Sequence, residues 1–246
     1  MDSINIDEYN IEYLKKYYKG SIDDAIKRLA SGEPVQYIVG DVDFYGLNID
    51  IDKRVLIPRF DTEELVEKTY NIIKRYFNDN IDIIDLGTGS GCISLALKNL
   101  LPNANITGVD ISSEALLVAV HNSKKLNLDV NFIENDMLEN INNKYDVIIS
   151  NPPYLSKEKS YVEHIVDSNE PKIALYAPNN GLYFYDKILS TCKNNLKEKY
   201  LIAFEMDEFQ GEAIKELAYK YLGNNIEVVI EKALNGNNRF IFIKSK

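Results

Sequence analysis

Two stretches of the sequence have residue types and spacings that suit chemistry, and the first is D-L-G-T-G-S-G at residues 85–91. It follows the apolar run IDIIDL and precedes the helical pattern CISLALKNL, so it predicts a strand-to-helix turn. In doubly wound sheets ligands bind at such turns, and glycines let the backbone turn sharply and contact a ligand. The next apolar run ends in Asp110, nineteen residues after Gly91. An acid at that place can accept both ribose hydroxyls of an adenosine.

The glycine spacing alone suits NAD as well as S-adenosylmethionine. Two details favour S-adenosylmethionine. The loop is G-x-G-x-G with Asp85 two residues before it, and the chain ends in two apolar runs, IEVVIEKA and RFIFIKS, around the turn LNGNN. Those runs predict an antiparallel pair, which is not the usual end of a nicotinamide domain. The competing interpretation is a glycine-rich turn beside a solvated aspartate. We predict that S-adenosylmethionine binds here and leaves as S-adenosylhomocysteine.

A third strand pattern, DVNFIEND, brings Asp136 to the same edge of the predicted sheet. Its carboxylate could accept a hydrogen bond from the amino group of adenine. It could equally cap a short helix over MLENINN, and the sequence leaves both interpretations open.

The second stretch is S-N-P-P-Y-L, residues 150–155, at the end of the apolar run YDVIIS. An amide or ring-bound amino nitrogen is a poor nucleophile, and accepting both of its hydrogens favours electron density on it as charge develops. The side-chain oxygen of Asn151 and the carbonyl of Pro152 could be those acceptors, aimed by the rigid Pro152–Pro153 pair. The Tyr154 ring could cover a flat substrate group with its π face near a sulfonium. Alternatively, N-P-P only terminates the strand and Tyr154 packs.

Strand and helix patterns alternate from residue 81 onward. Continuous apolar strands that alternate with helices predict an α/β fold with a doubly wound, mostly parallel sheet of seven strands, covered on both faces. We assign this Rossmann-like domain to residues 61–246, with Asp61 as the N-cap of its first helix, DTEELVEKTYNIIKRYF.

The residues before that domain have other patterns. Residues 1–33 predict a short helical region in which Ser21 caps the second helix. Residues 34–60 predict a β-hairpin linker around Gly40 and Gly46, because PVQYIVGDVDFYGLNIDID alternates apolar and polar residues.

Composition excludes several classes of protein. The 246 residues are 45% hydrophobic and 27% charged with a net charge of −10, which is ordinary for a globular chain and unfavourable for gripping nucleic acid. No uncharged apolar stretch reaches the roughly 18 residues that a membrane span needs. Two distant cysteines and two histidines predict neither a disulfide framework nor a metal site. We expect a monomer in the reducing cytoplasm, with no metal, no membrane and no direct nucleic-acid contact.

DLGTGSG, the VD of the second strand and SNPPY resemble the class I S-adenosylmethionine methyltransferases that act on planar amino groups. PVQYIVGDVDFYGL, VLIPRFDTEELVE, EPKIAL and FQGEAI resemble, in order, the release-factor glutamine N5-methyltransferases over roughly residues 34–246. The resemblance implies methylation of the glutamine in the Gly-Gly-Gln loop of peptide chain release factors. It implies that Asn151, Pro152, Pro153 and Tyr154 hold that glutamine, with Asn151, Pro152 and Tyr154 catalytic. The implied cofactor site is Asp85, Gly87, Thr88, Gly89, Ser90, Gly91, Asp110, Asp136, Met137 and Asn151.

Two departures from the family pattern concern substrate contact. The usual I-P-R-P-E-T-E is IPRFDTE here, with Phe60 and Asp61, and only 33 residues precede Pro34 where the family has a longer helical bundle. For Arg59, Glu205 and Arg239, which lie in matching blocks, we expect structural roles.

Two other functions are considered. An N6-adenine or related nucleic-acid methyltransferase would use N-P-P-Y in the same way, because adenine N6 is also a planar amino group. Such an enzyme must flip its base and usually carries a basic recognition region, which this acidic chain lacks. A non-catalytic binding module with the cofactor fold would be expected to lose Asn151 or the glycines, and all of them are present.

Overall fold

The computed structural model describes residues 8–78, 80–157 and 163–246. The strands are β1 (Asp41–Phe44), β2 (Leu47–Asp50), β3 (Asp82–Leu86), β4 (Asn105–Asp110), β5 (Asn131–Glu134), β6 (Tyr145–Ser150), β7 (Leu196–Glu205), β8 (Ile226–Lys232) and β9 (Asn238–Ser245). The helices are α1 (Glu8–Tyr17), α2 (Ile22–Ala30), α3 (Val35–Val39), α4 (Phe60–Tyr76), α5 (Cys92–Leu100), α6 (Ser113–Leu126), α7 (His164–Asn169), α8 (Lys172–Leu175), α9 (Tyr183–Thr191) and α10 (Gly211–Leu222).

Seven strands form one sheet in the order β5-β4-β3-β6-β7-β9-β8. The strands from β5 to β7 run parallel, and β9 pairs antiparallel with both β7 and β8. The predicted doubly wound sheet and its antiparallel end are therefore confirmed. The strand order reverses between β3 and β6, so the loops after these two neighbouring strands flank the crevice where ligands bind in such sheets.

The apolar strands bury both faces of this sheet. Two large clusters of buried side chains lie on opposite faces, one around Leu65, Ile83 and Leu95 and the other around Ile84 and Tyr185. Alternate residues of β3 thus enter different layers, as the pleat requires. The two cysteines, Cys92 and Cys192, are buried and free, as the sequence predicted.

The amino-terminal part confirms some predictions and corrects others. The predicted cap of α2 is present, because the Ser21 side chain accepts a hydrogen bond from the Asp24 amide at 3.5 Å. Residues 1–7 of the predicted helical region lie outside the described residues. The β-hairpin is confirmed only for β1 and β2, since residues 35–39, predicted as strand, form α3.

The helix α3 forms because tertiary burial overrides the strand-like pattern of its sequence. Val35 and Ile38 bury against Leu14 and Leu29 of the first two helices, which places them on one helical face three residues apart. Gly40 ends the helix at a positive φ of 92°. Its carbonyl accepts from the Ile51 amide at 2.8 Å, so this glycine joins α3 to the open end of the hairpin.

One predicted helix cap is wrong, and one open alternative is excluded. Helix α4 begins at Phe60 with Arg59 at the N-cap position, so Asp61 lies inside its first turn, where its carboxylate Oδ2 is 3.0 Å from Nε of Arg239. The segment MLENINN contains no helix: Met137 and Asn140 have positive φ angles. The alternative role of Asp136 as a helix cap is therefore excluded.

The hairpin β1–β2 is fastened to the sheet domain by buried polar contacts. Asn122 of α6 donates to the carbonyl of Asp50 and accepts from its amide, both at 2.9 Å. The Tyr37 hydroxyl donates to the carbonyl of Val55 at 2.7 Å. These bonds fix the segment that leads from the hairpin into α4. None of the helices in the described ranges is both long and apolar enough to cross a membrane.

Candidate active site

The glycine loop follows β3 with three glycines at positive φ: Gly87 (75°), Gly89 (54°) and Gly91 (81°). Such angles cost an ordinary residue conformational energy, and this explains the glycine at each place. A Cβ built on Gly91 would lie 3.2 Å from Ala119 and Phe132, whereas one on Gly87 or Gly89 meets no atom within 4 Å. The first two glycines therefore face open space, and the third packs.

Asp85 lies at the base of this loop and is completely buried. Its Oδ2 accepts hydrogen bonds from Thr88 at 2.6 Å and Ser94 at 2.7 Å. Its Oδ1 has no hydrogen-bond partner among the described residues. Burial raises the pKa of this carboxyl to about 6, although the two hydroxyls oppose the shift. An unpaired buried acceptor is costly unless a donor completes it.

Asp110, at the end of β4, ties the loop to the neighbouring strand. Its Oδ2 accepts from the Gly89 amide and its Oδ1 from the Ser112 amide, both at 2.9 Å. Burial raises its pKa, while these amides lower it. These bonds leave acceptor capacity on the carboxylate, because it has about four lone-pair sites.

A cavity of about 230 Å³ opens over these residues, and we call it the glycine-loop cavity. Its lining includes most of the predicted cofactor residues: Gly87, Gly89, Asp110, Asp136, Met137 and Asn151, together with Pro153. Asp85, Thr88, Ser90 and Gly91 are not part of this lining. Thr88 and Ser90 are buried and support the loop from behind, so their part in cofactor binding stays a prediction.

Asp136 reaches the cavity from the turn after β5. Lys187 of α9 contacts its Oδ2 at 2.6 Å and the Glu139 carboxylate at 2.9 Å. The two acids raise the pKa of this lysine against the opposing effect of burial. Lys187 therefore fixes Asp136 at the cavity wall.

A second cavity of about 220 Å³, the proline cavity, lies beside the first. Pro152, Tyr154 and Glu205 line it, and so does Arg59 from the start of α4. Asn151 lines both cavities. The structure thus brings the four predicted residues 151–154 to the junction of two spaces, with Pro153 facing the first, and Pro152 and Tyr154 the second.

The Asn151 side chain is held by a neighbour that the sequence did not reveal. Its Nδ2 donates to Oγ1 of Thr62 on α4 at 3.0 Å. The Thr62 hydroxyl in turn donates to Oε2 of Glu205 at 2.7 Å, and the Tyr154 hydroxyl donates to Oε1 at 3.1 Å. Within the described part of the chain, neither Oδ1 of Asn151 nor the Pro152 carbonyl forms a hydrogen bond.

Glu205 is a buried carboxylate at the end of β7. Burial raises its pKa to about 7, against the effects of Thr62 and Arg239. Tyr154 is partly buried, and desolvation raises the pKa of its phenol. The Glu205 backbone is fixed as well, because the Tyr185 hydroxyl donates to its carbonyl at 2.7 Å.

The backbone of the N-P-P-Y segment is clamped from the carboxyl-terminal half of the domain. Nε2 of Gln210 donates to the carbonyl of Tyr154 at 2.9 Å and to that of Asn180 at 3.2 Å. Gly181, with φ of 84°, packs so closely that a Cβ would lie 1.9 Å from the Tyr154 carbonyl oxygen. Only glycine fits there.

The mouth of the proline cavity is fixed by an ion pair between Arg59 and the buried Glu170. The other oxygen of Glu170 accepts from the Ile57 amide at 3.1 Å. Arg239 donates to the carbonyl of Met206 at 3.0 Å. Arg59, Glu205 and Arg239 all form contacts within the chain, and the structural roles expected for them stay a prediction. Phe60, which follows Arg59, is 85% exposed.

Sequence reasoning therefore missed Thr62, Glu170, Gly181 and Gln210. Three of them lie in the blocks IPRFDTE, EPKIAL and FQGEAI, which carried a family resemblance but no local pattern that gives a role. Their partners are far away in sequence, so no spacing rule applies to them.

The family model for the methyltransferase small domain matches residues 48–170, which contain the glycine loop, the strand-end acids and N-P-P-Y. Among solved structures, a methyltransferase from Pyrococcus furiosus has the same fold: the TM-score is 0.60 at 19% identity, covering 91% of this chain and 98% of that one. Fold and site together define a class I methyltransferase.

Two curated relatives identify the family. The release factor glutamine methyltransferase of Streptococcus pneumoniae is 40% identical over 226 residues, which are 92% of this chain and 80% of the relative. The enzyme of the same name from Lactococcus lactis is 37% identical over 224 residues, 91% of this chain and 82% of the relative. The chain belongs to the release factor glutamine methyltransferase family.

Proposed function

We propose that the chain transfers a methyl group from S-adenosylmethionine to the side-chain amide nitrogen of the glutamine in the Gly-Gly-Gln loop of a peptide chain release factor. One observation carries the proposal: Asn151 lines both the glycine-loop cavity and the proline cavity. A group transfer needs its two partners in contact, and this side chain lies where two separate spaces meet.

The residues of the glycine-loop cavity fit the cofactor. Gly87 and Gly89 leave open space for a ligand beside the backbone, and Asp110 has lone pairs left for two ribose hydroxyls. Oδ1 of Asp85 is a buried acceptor without a partner, which suits a nearby cationic amino group. Asp136 would accept from the adenine amino group. When bound, S-adenosylmethionine supplies a methyl carbon made electrophilic by its sulfonium.

The chain's own residues would activate the amide nitrogen. Its lone pair is delocalised into the carbonyl, so it must be oriented and made more electron-rich. Oδ1 of Asn151 and the carbonyl of Pro152, both without a hydrogen bond in the described structure, would accept its two hydrogens. As charge develops on nitrogen, these fixed acceptors stabilise it more than they stabilise the ground state.

The proline cavity would admit a flat side chain from a protein loop. Pro152 and the ring of Tyr154 give it apolar walls, and Arg59 lies at its mouth. The exposed Phe60 stands where the family pattern has proline, and it would touch the loop that carries the glutamine.

Labelled S-adenosylmethionine tests the proposal directly. The purified chain is offered a release factor, the same factor with the loop glutamine changed to alanine, and duplex DNA. We expect label on the first acceptor alone. Label on DNA, or equal label on both release factors, would contradict the proposed reaction.

A further inference from the structure

The most informative unexplained feature is the orientation of the Asn151 amide. The oxygen and nitrogen of an amide have nearly the same shape, so only hydrogen-bond partners decide which one faces a given neighbour. For a nitrogen-methylating site the difference is decisive, because an NH2 group turned toward the substrate's own NH2 would place donor against donor.

Glu205 determines this orientation through two successive hydrogen bonds, one with Thr62 and one between Thr62 and Asn151. Its ionised carboxylate can only accept, so the hydroxyls of Thr62 and Tyr154 must both donate to it. A threonine hydroxyl has one hydrogen. Once Thr62 has given that hydrogen to Glu205, its oxygen can only accept from Asn151, and the Asn151 atom 3.0 Å away must be Nδ2.

We propose that Thr62 and Glu205 are positioning residues that hold the Asn151 amide with its oxygen toward the substrate nitrogen. This inference rests on the proposed function, because the orientation matters only if Oδ1 of Asn151 accepts a substrate hydrogen. Thr62 acts through its hydrogen bond with Asn151, and Glu205 acts through its hydrogen bond with Thr62.

The surroundings of Glu205 make this control dependent on pH. It is faced by Thr62 and Asp61 from α4, by Arg239 from β9 and by Tyr154 from the loop after β6. The ionisable groups of Cys92 on α5 and Tyr185 on α9 also interact with it. When Glu205 takes up a proton, it can donate to Thr62, whose hydrogen is then free to turn toward Asn151 and favour the opposite amide orientation. Burial raises the Glu205 pKa to about 7, so this change falls near neutral pH.

The first test removes the hydroxyl and keeps the shape. Thr62→Val should lower kcat by about 10- to 100-fold, because the amide loses its fixed orientation, with KM for S-adenosylmethionine little changed. Thr62→Ser retains the hydroxyl and should restore most of the activity. Equal kcat values for Thr62→Val and the parent enzyme would overturn the inference.

The matched control is Thr69→Val. Thr69 lies two turns later on the same helix, is completely buried, and its hydroxyl has no hydrogen-bond partner among the described residues. A loss of activity caused only by valine in α4 would occur in both variants. An equal fall in kcat for Thr69→Val would therefore refute a specific role for Thr62.

The second test is the pH profile of kcat. In the parent enzyme kcat should fall from about pH 8 to about pH 6 as Glu205 is protonated. Glu205→Gln cannot titrate, so it should have lower kcat at pH 8 and no such acid limb. An unchanged acid limb in Glu205→Gln would contradict the role of Glu205.

These failures are distinguishable from failure of the proposed function. If the parent enzyme does not methylate the release factor at all, the proposed function fails. Suppose that the parent methylates the loop glutamine, that Thr62→Val has the same kcat as Thr69→Val, and that Glu205→Gln keeps the acid limb of the parent. Only the positioning role then fails.

Discussion

The glycine-loop cavity and the proline cavity are built in different ways. The first takes its polar lining from strand ends and the turns after them, with Gly89 hydrogen-bonded to Asp110 only 21 positions away. The second joins Asn151 to Thr62 across 89 positions and Thr62 to Glu205 across 143. The proposed cofactor site thus depends on local motifs, while the proposed acceptor site depends on long-range packing.

This difference predicts separable effects of mutation. Residues of the glycine-loop cavity should govern cofactor affinity, and residues around the proline cavity should govern turnover. Asn151 lines both cavities, so its substitution distinguishes most clearly between an effect on cofactor affinity and an effect on turnover.

The largest effect is expected for Asn151→Ala. Removing a preorganised acceptor of the substrate's N–H should lower kcat by about 100- to 1,000-fold. The proposed cofactor contacts to Asp110 and the glycine loop do not involve this side chain, so we expect the Kd for S-adenosylhomocysteine, measured calorimetrically, to change by less than about threefold. A large loss of cofactor affinity would show that Asn151 belongs to the donor side.

Gly181→Ala should be the next most damaging. A Cβ there would lie 1.9 Å from the Tyr154 carbonyl oxygen, and overpacking added to a positive φ should cost about 2–4 kcal/mol of unfolding free energy. Gly236→Ala is the control, since Gly236 has φ of 90° with no atom within 4 Å of its Cβ. Urea denaturation that finds equal losses would mean that φ alone sets the cost.

Asp110→Ala should act on the opposite cavity. Loss of the acceptors that we propose for the ribose hydroxyls should weaken S-adenosylhomocysteine binding by about 10- to 100-fold, while kcat at saturating cofactor falls much less. Asp129→Ala, at an exposed position after α6, is the control for removing one negative charge. A fall in kcat without a change in Kd would break the division between the cavities.

The smallest effect is expected for Glu205→Gln, in the pH dependence of the unfolding free energy. Burial raises the Glu205 pKa above that of an unfolded chain, to about 7, so the folded state binds this proton more tightly. Its contribution to stability is complete below the unfolded pKa and is lost as pH rises through about 7. Between about pH 5 and pH 8, Glu205→Gln should lose less unfolding free energy than the parent enzyme, by on the order of 2–3 kcal/mol. Parallel pH curves from urea denaturation would contradict the shifted pKa.

Most of the fold followed from hydrophobic pattern and from the ends of its elements. The seven-stranded sheet, its antiparallel end and the Ser21 cap were predicted because they depend on periodicity and nearby residues. The prediction for residues 35–39 was wrong, since packing against α1 and α2 is not visible in a local pattern. The cap at Asp61 was wrong for a similar reason: Arg239, its partner, lies 178 positions later.

The candidate site shows the same limit. Gly87, Gly89 and Asp110 could be singled out by their spacing, and Asn151 by its place after a buried strand. Thr62 could not, because an internal helical threonine is ordinary until its distance to Asn151 is known. Glu170 and Gln210 form hydrogen bonds with backbone groups of distant segments. Residue type alone does not predict such bonds.

The central claim is that the junction at Asn151 serves one nitrogen of one protein side chain. Tandem mass spectrometry of a digested release factor, after incubation with the enzyme and S-adenosylmethionine, tests it most directly. We expect a single added methyl group on the side-chain amide of the Gly-Gly-Gln glutamine, absent when the Asn151→Ala enzyme is used. A methyl group on any other residue, or the same modification with the Asn151→Ala enzyme, would contradict it.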